Sequence, residues 1–489
     1  AVLSFRAWTY LQLAQVYGKV PFVTEPVLSA DAKLSDFPLL SIKDIAKELI
    51  DDLLPFVDTK FPNYGELGGA ANGDGTSAEK HTSQKLFIPV RLILGDLYLW
   101  SEQPAEAAKY YHDFLSNDAK YEYTPTSLAC ATWKDLDFIE FADDTYASRF
   151  SKNDFDDNVI AYIAMESQEY NGVMSQLPDI FGSTKKNDYY HQVYYSKALS
   201  SLSASQKYAY HDITTSGNDI LNYVRPEFQE SDLTKGDLRL HSILSEKTVS
   251  DKESSILSEK RVENRKFNKT DRGNQVPLEK ISLYRYDVIY LRLAEALNRA
   301  GLPEVAFAIL KQGLAYDDKT LDYTYSSSIA KANELDLLSA ITFPSSYFRI
   351  AQWVRPDRNS TKITFEDPTN YNTFGIHSRG CGDASMDTTY VIPECATLQD
   401  SIRAVEELII NEMALETCFE GYRFGDLLRV AQHRGAETGA DYDTEFFAKH
   451  VASRGSAYND DTDANFDNAL YNTLKSDSKN WFLPLPKEN

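Results

Sequence analysis

The sequence predicts a mainly α-helical protein: a scaffold of tetratricopeptide-like helical repeats carrying long irregular loops and minor β structure. Three observations predict it. Apolar residues recur at spacings of three and four in the first helix-like segments, near 90–111 and 290–310, and again near 400–430. Two of these stretches share a frame of small residues that lets antiparallel helices pack closely. Between the helical segments lie two blocks, about 120–280 and 323–399, with few clear helices, and loops that long in a compact chain are usually functional.

The elements follow in order. A first helix is expected from Leu3 to Val16, with Phe5, Ala7, Trp8 and Leu11 as its apolar stripe; Gly18 and Pro21 end it. Ser41 and Asp44 resemble a capping box, and Ile42, Ile45, Leu49 and Leu53 form the buried face of the helix that follows, which Pro55 stops. The segment from Pro62 to Ser83, rich in Gly, Ala, Asn and Ser, reads as an exposed loop. Leu94, Gly95, Tyr98, Ala107 and Tyr111 then occupy the tetratricopeptide offsets. The same frame fits Tyr290, Leu293, Ala294, Leu297, Gly301, Ala306 and Leu310, with leucine in both aromatic positions. Pro104 and Pro303 stand at equivalent places in the two turns, and Trp8 and Leu11 begin a further, partial unit. The units are not contiguous, so a simple solenoid is not expected. Asn158 to Ser167 could be a strand or a short helix.

The segment Asn411 to Val430, NEMALETCFEGYRFGDLLRV, carries an unusual charge pattern. Leu408, Glu412, Leu415 and Phe419 share one helical face, and Glu412, Glu416 and Glu420 recur every fourth residue up to Gly421. Arg423, Asp426 and Arg429 follow at spacings of three among apolar residues. Charges inside an apolar segment are expensive to bury unless paired. Glutamates before the turn could pair with arginines after it, as a clamp between two helices. An acid/base site would need a histidine or cysteine at a nucleophile-like position, and none stands there.

Composition narrows the function classes. Length alone, at 489 residues, suggests two or three domains. The net charge of −23 argues against nucleic-acid binding through phosphates. No apolar run reaches the length of a transmembrane helix. The chain begins AVLSFRAWTY, already in a helical pattern and without a signal peptide, which suggests an absent upstream segment. The 31 tyrosines are the compositional outlier, and a tyrosine offers a rigid apolar face plus a hydroxyl, suited to recognition or to half-buried packing between helices. Cys130 and Cys418 read as buried thiols. Cys381 and Cys395 bracket a loop whose closure by a disulfide could contribute roughly 3 kcal/mol, in an oxidising compartment only; bonded and free forms are both open. No zinc spacing occurs. Asp461, Asp463, Asn465 and Asp467 have the alternate spacing of a calcium loop but lack its glycine and distal glutamate, so a solvated acidic loop is expected and no metal or cofactor is assigned.

The chain resembles the SusD/RagB family of Bacteroidetes surface nutrient-binding proteins. The segments that carry the resemblance are FRAWTYLQLAQVYGKVPFVTEP, LILGDLYLWSEQPAEAAKYYHDFL, KGDLRL around Asp237, LYRYDVIYLRLAEALNRAG, NEMALETCFEGYRFGDLLR and the terminal WFLPLPKEN. They run through nearly the whole chain in the family's order. Two departures stand out: Met413 follows Glu412 where the family has arginine, and AILKQGLAYDDKT replaces an asparagine-arginine segment. The resemblance implies one SusD-like domain over 1–489, with its scaffold in about 1–118, 283–316 and 400–435 and ligand-binding insertions in about 120–280 and 323–399. It also implies a lipoprotein on the outer-membrane surface, held by an N-terminal lipid anchor that would precede Ala1, and partnered by a SusC-like TonB-dependent transporter. The implied ligand is an oligosaccharide, or a peptide as in some relatives, and no enzymatic activity is expected.

Sugar binding requires flat aromatic faces for stacking and a few polar groups for hydroxyls. The candidates are the loop aromatics Tyr189, Tyr190, Tyr194 and Tyr195, with Asn187, Asp188 and His191 among them, and Trp353 with Arg355 in AQWVRPDRNS. These choices rest on composition, and packing against the scaffold is the alternative for each ring. Each stacked ring contributes about 0.5–1.5 kcal/mol beyond area burial. Two or three on an open surface give affinities of about mM to µM. A glycoside hydrolase would need paired carboxylates in a recognisable motif, which the abundant acidic residues do not form. A generic helical-repeat scaffold for protein partners is disfavoured by the scattered repeats and long loops.

Overall fold

Apolar spacing in this chain becomes packing between antiparallel helices. The computed structural model describes all residues other than 30, 69–79, 116–130, 135–137, 142–158, 166–174, 182–194, 208–211, 217–218, 225–236, 250–258, 265, 268, 272–273, 277–279, 312–374, 382–388, 456–465 and 487–489. The described part is mainly helical, with small two-stranded antiparallel sheets.

Helix α1, Val2–Tyr17, ends at Gly18, whose backbone lies at φ 76° and donates to Ala14 O at 2.9 Å. A side chain there would be strained by that φ and would also strike the Phe482 ring, since a Cβ would fall 2.8 Å from it. Helix α2, Ile42–Leu53, starts at the Ser41 cap, whose hydroxyl accepts from Asp44 N at 3.3 Å. The predicted face of Ile42, Ile45, Leu49 and Leu53 is buried. Short strands β1, Lys19–Pro21, and β2, Leu39–Ser41, pair between the two helices. The expected loop after α2 holds a small hairpin instead, β3, Glu66–Gly68, with β4, Lys80–Thr82. Its entry is set locally: Asn63 Oδ1 accepts from Gly65 N at 2.8 Å.

The two repeat units form as the frame predicts. Helices α3, Val90–Trp100, and α4, Pro104–Asp113, are the first. Gly95 of α3 lies so close to Tyr111 of α4 that a Cβ would come within 2.5 Å of the ring. The second unit pairs the helix Tyr286–Arg299 with Pro303–Lys311. Each unit's second helix opens on its proline, where the missing N–H leaves no helical bond unmade. The turns match as well: the left-handed residue two before each proline is Glu102 (φ 63°) in the first and Gly301 (φ 91°) in the second. Glutamate is unusual there, and its carboxylate is held by Gln432 Nε2 at 2.9 Å and faces His433 Nδ1 at 2.7 Å.

The units are far apart in sequence yet adjacent in space. α1 packs on α2, α2 on α3, α3 on α4, and α4 on the helix Tyr286–Arg299. The partial unit at Trp8 therefore extends the same packed row. The long helix Leu398–Glu416 covers both helices of the second unit, and Arg423–Thr438, Thr444–Ala452 and Asn468–Ser476 follow in turn. One hydrophobic cluster runs from Ala7 through Leu94, Leu293 and Leu428 to Trp481.

The segment 158–167, open between strand and helix on sequence, contains the strand Val159–Ala164. It pairs antiparallel with Lys280–Arg285, which leads directly into the helix Tyr286–Arg299. The described parts of 120–280 otherwise hold hairpins and three short helices, Leu177–Phe181, Lys197–Ser205 and Leu238–Ile243.

Candidate functional site

Where the two insertions meet the scaffold, the described residues form a buried ionic cluster. Its base is the helix Leu398–Glu416, started by a capping box in which Thr397 and Asp400 satisfy each other's backbone N–H. Helical period puts Glu412 and Glu416 on one face, a turn apart. The chain then turns sharply, with Phe419 at φ 68° and Gly421 at φ 86°, and presents Glu420 beside them.

The cations come from elsewhere in the chain. Arg285 reaches in from the end of its strand, donating through Nη1 to Glu416 Oε1 at 2.7 Å and to Asp287 at 2.8 Å. It also forms two bonds of 2.8 Å to Glu420. Lys266 pairs with Glu420 and donates to Cys418 O at 3.2 Å. From the first insertion, Arg239 binds Asp237 at 2.7 Å and Glu416 at 2.9 Å. From the second, Arg379 binds Asp287 at 2.5 Å, and His377 Nδ1 lies 2.8 Å from Glu412 Oε2. The His377 ring stacks on Tyr390 with centroids 3.8 Å apart. Arg239, Arg285 and Arg379 are all 0% exposed.

Such burial is tolerable only because charges are matched. For Glu416, burial opposes ionisation, but Arg379, Arg285 and Arg239 outweigh it and hold the carboxyl well below the usual range. Glu412 is lowered against burial by Arg239 and His377, and Glu420 by Arg285 and Lys266. Burial, and then the Asp237 charge, pushes the Cys381 thiol well up; burial takes Cys418 to about 11. These thiols are poor nucleophiles. The cluster's chemistry is to fix chain segments, since its groups are spent on one another.

Several sequence expectations change here. The clamp across the turn does not form: Glu412, Glu416 and Glu420 take the long-range partners above. Arg423 instead donates to Ile410 O at 2.7 Å. Arg429 binds both oxygens of Glu295, at 2.9 and 2.6 Å, and Asp426 at 2.8 Å. A side chain one turn away along the same face meets whatever packs on that face, and here that is the insertions. Met413, where the resemblance implies an arginine, is buried in the apolar core. Cys381 and Cys395 are free thiols: Cys381 is buried against Asp237 at 3.5 Å, while Cys395 donates to Pro393 O at 3.1 Å.

Of the predicted ligand residues, Tyr189, Tyr190, Tyr194, Trp353 and Arg355 lie outside the described residues. Tyr195 is described. It is half-buried immediately before Ser196, whose hydroxyl caps the helix Lys197–Ser205. Cys130, Asp461, Asp463 and Asn465 are also outside. Asp467 is a helix cap, accepting from Leu470 N at 2.9 Å. No metal-ligating cluster and no helix long and apolar enough to cross a membrane occurs among the described residues. Sequence reasoning missed Asp237, Arg239, Lys266, Arg285, Asp287, His377 and Arg379. The available signal was charge inside apolar segments, as in LYRYDVIYL, where an arginine and an aspartate sit two apart between buried positions.

No known family model matches the chain, and no curated protein matches it. Solved structures do. The chain is similar to SusD-like proteins. A SusD-like carbohydrate-binding protein from Bacteroides vulgatus aligns at 18% identity and TM-score 0.44, over 88% of this chain and 62% of its own. One from Bacteroides fragilis aligns at 15% identity and TM-score 0.41, over 88% and 66%. A SusD superfamily protein from Bacteroides thetaiotaomicron aligns at 13% identity and TM-score 0.45, over the same shares. The chain thus spans less than two thirds of the length of each of these three.

Proposed function

We propose that this chain is a SusD/RagB-type binding protein that captures oligosaccharides at the cell surface without chemically altering them, and hands them to a SusC-like TonB-dependent transporter. The observation that carries the reading is the ionic cluster. Seven of its charged residues come from segments that carry the family resemblance: Asp237 and Arg239 in KGDLRL, Arg285 and Asp287 in LYRYDVIYL, Glu412, Glu416 and Glu420 in NEMALETCFE, while Lys266, His377 and Arg379 lie outside them. Segments that match the family one by one also complete one another physically, which favours a shared architecture over separate coincidences. In this reading residues 1–489 are one unit, a lipid anchor upstream holds it to the outer membrane, and the rings of Tyr189, Tyr190, Tyr194, Tyr195 and Trp353 stack on sugars while Arg355 donates to their hydroxyls.

Calorimetric titration of the chain with a panel of soluble oligosaccharides tests this. Saturable binding is expected in about the mM to µM range, weakened roughly two- to tenfold by Trp353→Ala or Tyr190→Ala, from about 0.5–1.5 kcal/mol per ring. Binding of peptides with none of glycans would replace the ligand class. Release of shortened products from a bound glycan would make the protein a hydrolase.

A further inference from the structure

Glu412 and Glu416 are shared between the two insertions. Glu416 Oε2 accepts from Arg239 Nη1 at 2.9 Å, and Arg379 Nε lies 3.2 Å from the same oxygen. Glu412 divides likewise: Arg239 Nη2 is 2.6 Å from Oε1, and His377 Nδ1 is 2.8 Å from Oε2. Arg239 belongs to the described segment 237–249 of the first insertion, and His377 and Arg379 to 375–381 of the second. The two segments also touch directly. Asp237, fully buried, accepts from Arg239 N at 2.9 Å and from the Cys381 thiol at 3.5 Å. Gly380 is so close to that carboxylate that a Cβ would fall 2.3 Å from both oxygens.

A buried charge has no water to fall back on, so each cation's environment depends on the other being in place. If one segment leaves, both glutamates lose a partner and the remaining cation faces a rehydrated site. Groups in one such network couple strongly. We propose that Glu412 and Glu416 are positioning residues that join segments 237–243 and 375–381 into one cooperative unit, so that displacement of one segment opens the other. The consequence for ligand capture rests on the function proposed above: recognition in one insertion would set the geometry of both. The coupling itself does not need a ligand, and its test uses none.

Hydrogen exchange of the full chain, read by mass spectrometry, tests the coupling. His377→Gln loosens the second segment's contact with Glu412 and removes the ring that stacks on Tyr390, leaving every contact of the first segment in place. Exchange should accelerate at least about tenfold, equivalent to about 1.4 kcal/mol, at 238–243 as well as at 376–381, with helices α3 and α4 unchanged. Gly380→Ala should act more strongly with the same footprint, and Arg239→Lys should accelerate 376–381 in return. Acceleration confined to the mutated segment in the His377 and Arg239 variants would overturn the proposal, whether or not the Gly380 variant folds. Loss of glycan binding alone would bear on the functional reading and leave the coupling standing.

Discussion

Two of the buried polar centres among the described residues are built differently. The first surrounds Asp96 of α3. Its carboxylate accepts from Tyr111 of α4 at 2.6 Å, from Tyr284 at 2.5 Å and from Arg292 at 2.6 and 2.7 Å. All of these lie on helices of the two repeat units or on the strand leading into them. The second surrounds Glu416, where three guanidiniums converge from a strand and both insertions. In the first centre two of the donors are phenols, kept neutral because burial and then the Asp96 charge raise the Tyr111 and Tyr284 pKa well above normal. In the second the three guanidiniums named above are all charged. Neutral donors can be lost singly at small expense, whereas a charge removed from a matched buried set leaves its partners exposed to the full desolvation penalty. The scaffold thus rests on separable bonds and the insertions on an interdependent one.

Acid should bring out that difference most strongly. The folded-state pKa values of Glu295, Glu412, Glu416 and Glu420 are lowered from 4.5. For groups shifted this way, the stabilisation is fully present above the unfolded value and is lost as pH falls through the folded one. Denaturant midpoints should therefore be steady down to about pH 5 and fall progressively below about 4.5. A midpoint unchanged between pH 5 and pH 3 would contradict the cluster's electrostatics. Next in size, Glu416→Gln should destabilise by about 3–5 kcal/mol in urea unfolding, because Arg239, Arg285 and Arg379 lose a common counter-charge. A loss under about 1 kcal/mol would mean that the remaining carboxylates suffice. The smallest effect belongs to the Asp96 centre: Tyr111→Phe removes one phenol hydrogen bond to a carboxylate that keeps Tyr284 and Arg292, and should lower stability by about 1.5–3 kcal/mol. Equal losses for these two substitutions would erase the distinction between the centres.

Much of the scaffold was legible in the sequence because its signals are local. Ser41 and Asp44 are three residues apart, Pro104 and Pro303 open their helices, and Gly95 and Tyr111 fit a known frame of offsets. Each needs only its own helix pair to be interpreted. The candidate ligand rings rest on composition, which identifies suitable side chains but says nothing of their arrangement. The charged pattern of Glu412, Glu416 and Glu420 stands in an apolar segment and so calls for partners, yet the nearest arginines in sequence are the wrong ones. Arg423 and Arg429 lie past the turn and point to Ile410 and Glu295.

By itself the sequence determined the helical class, the repeat frame, the caps at Gly18 and Ser41, and that three glutamates in an apolar segment would need partners if buried. These follow from period and backbone chemistry within a few residues. Tertiary structure alone decided the partners: Arg239 lies 177 positions from Glu416, and Arg285 lies 131 away. It also decided that Cys381 faces Asp237 in place of Cys395, and that two separated repeats pack as neighbours. The physical reason is that a helical pattern states which face is buried, while the groups it meets depend on how distant segments return to that face.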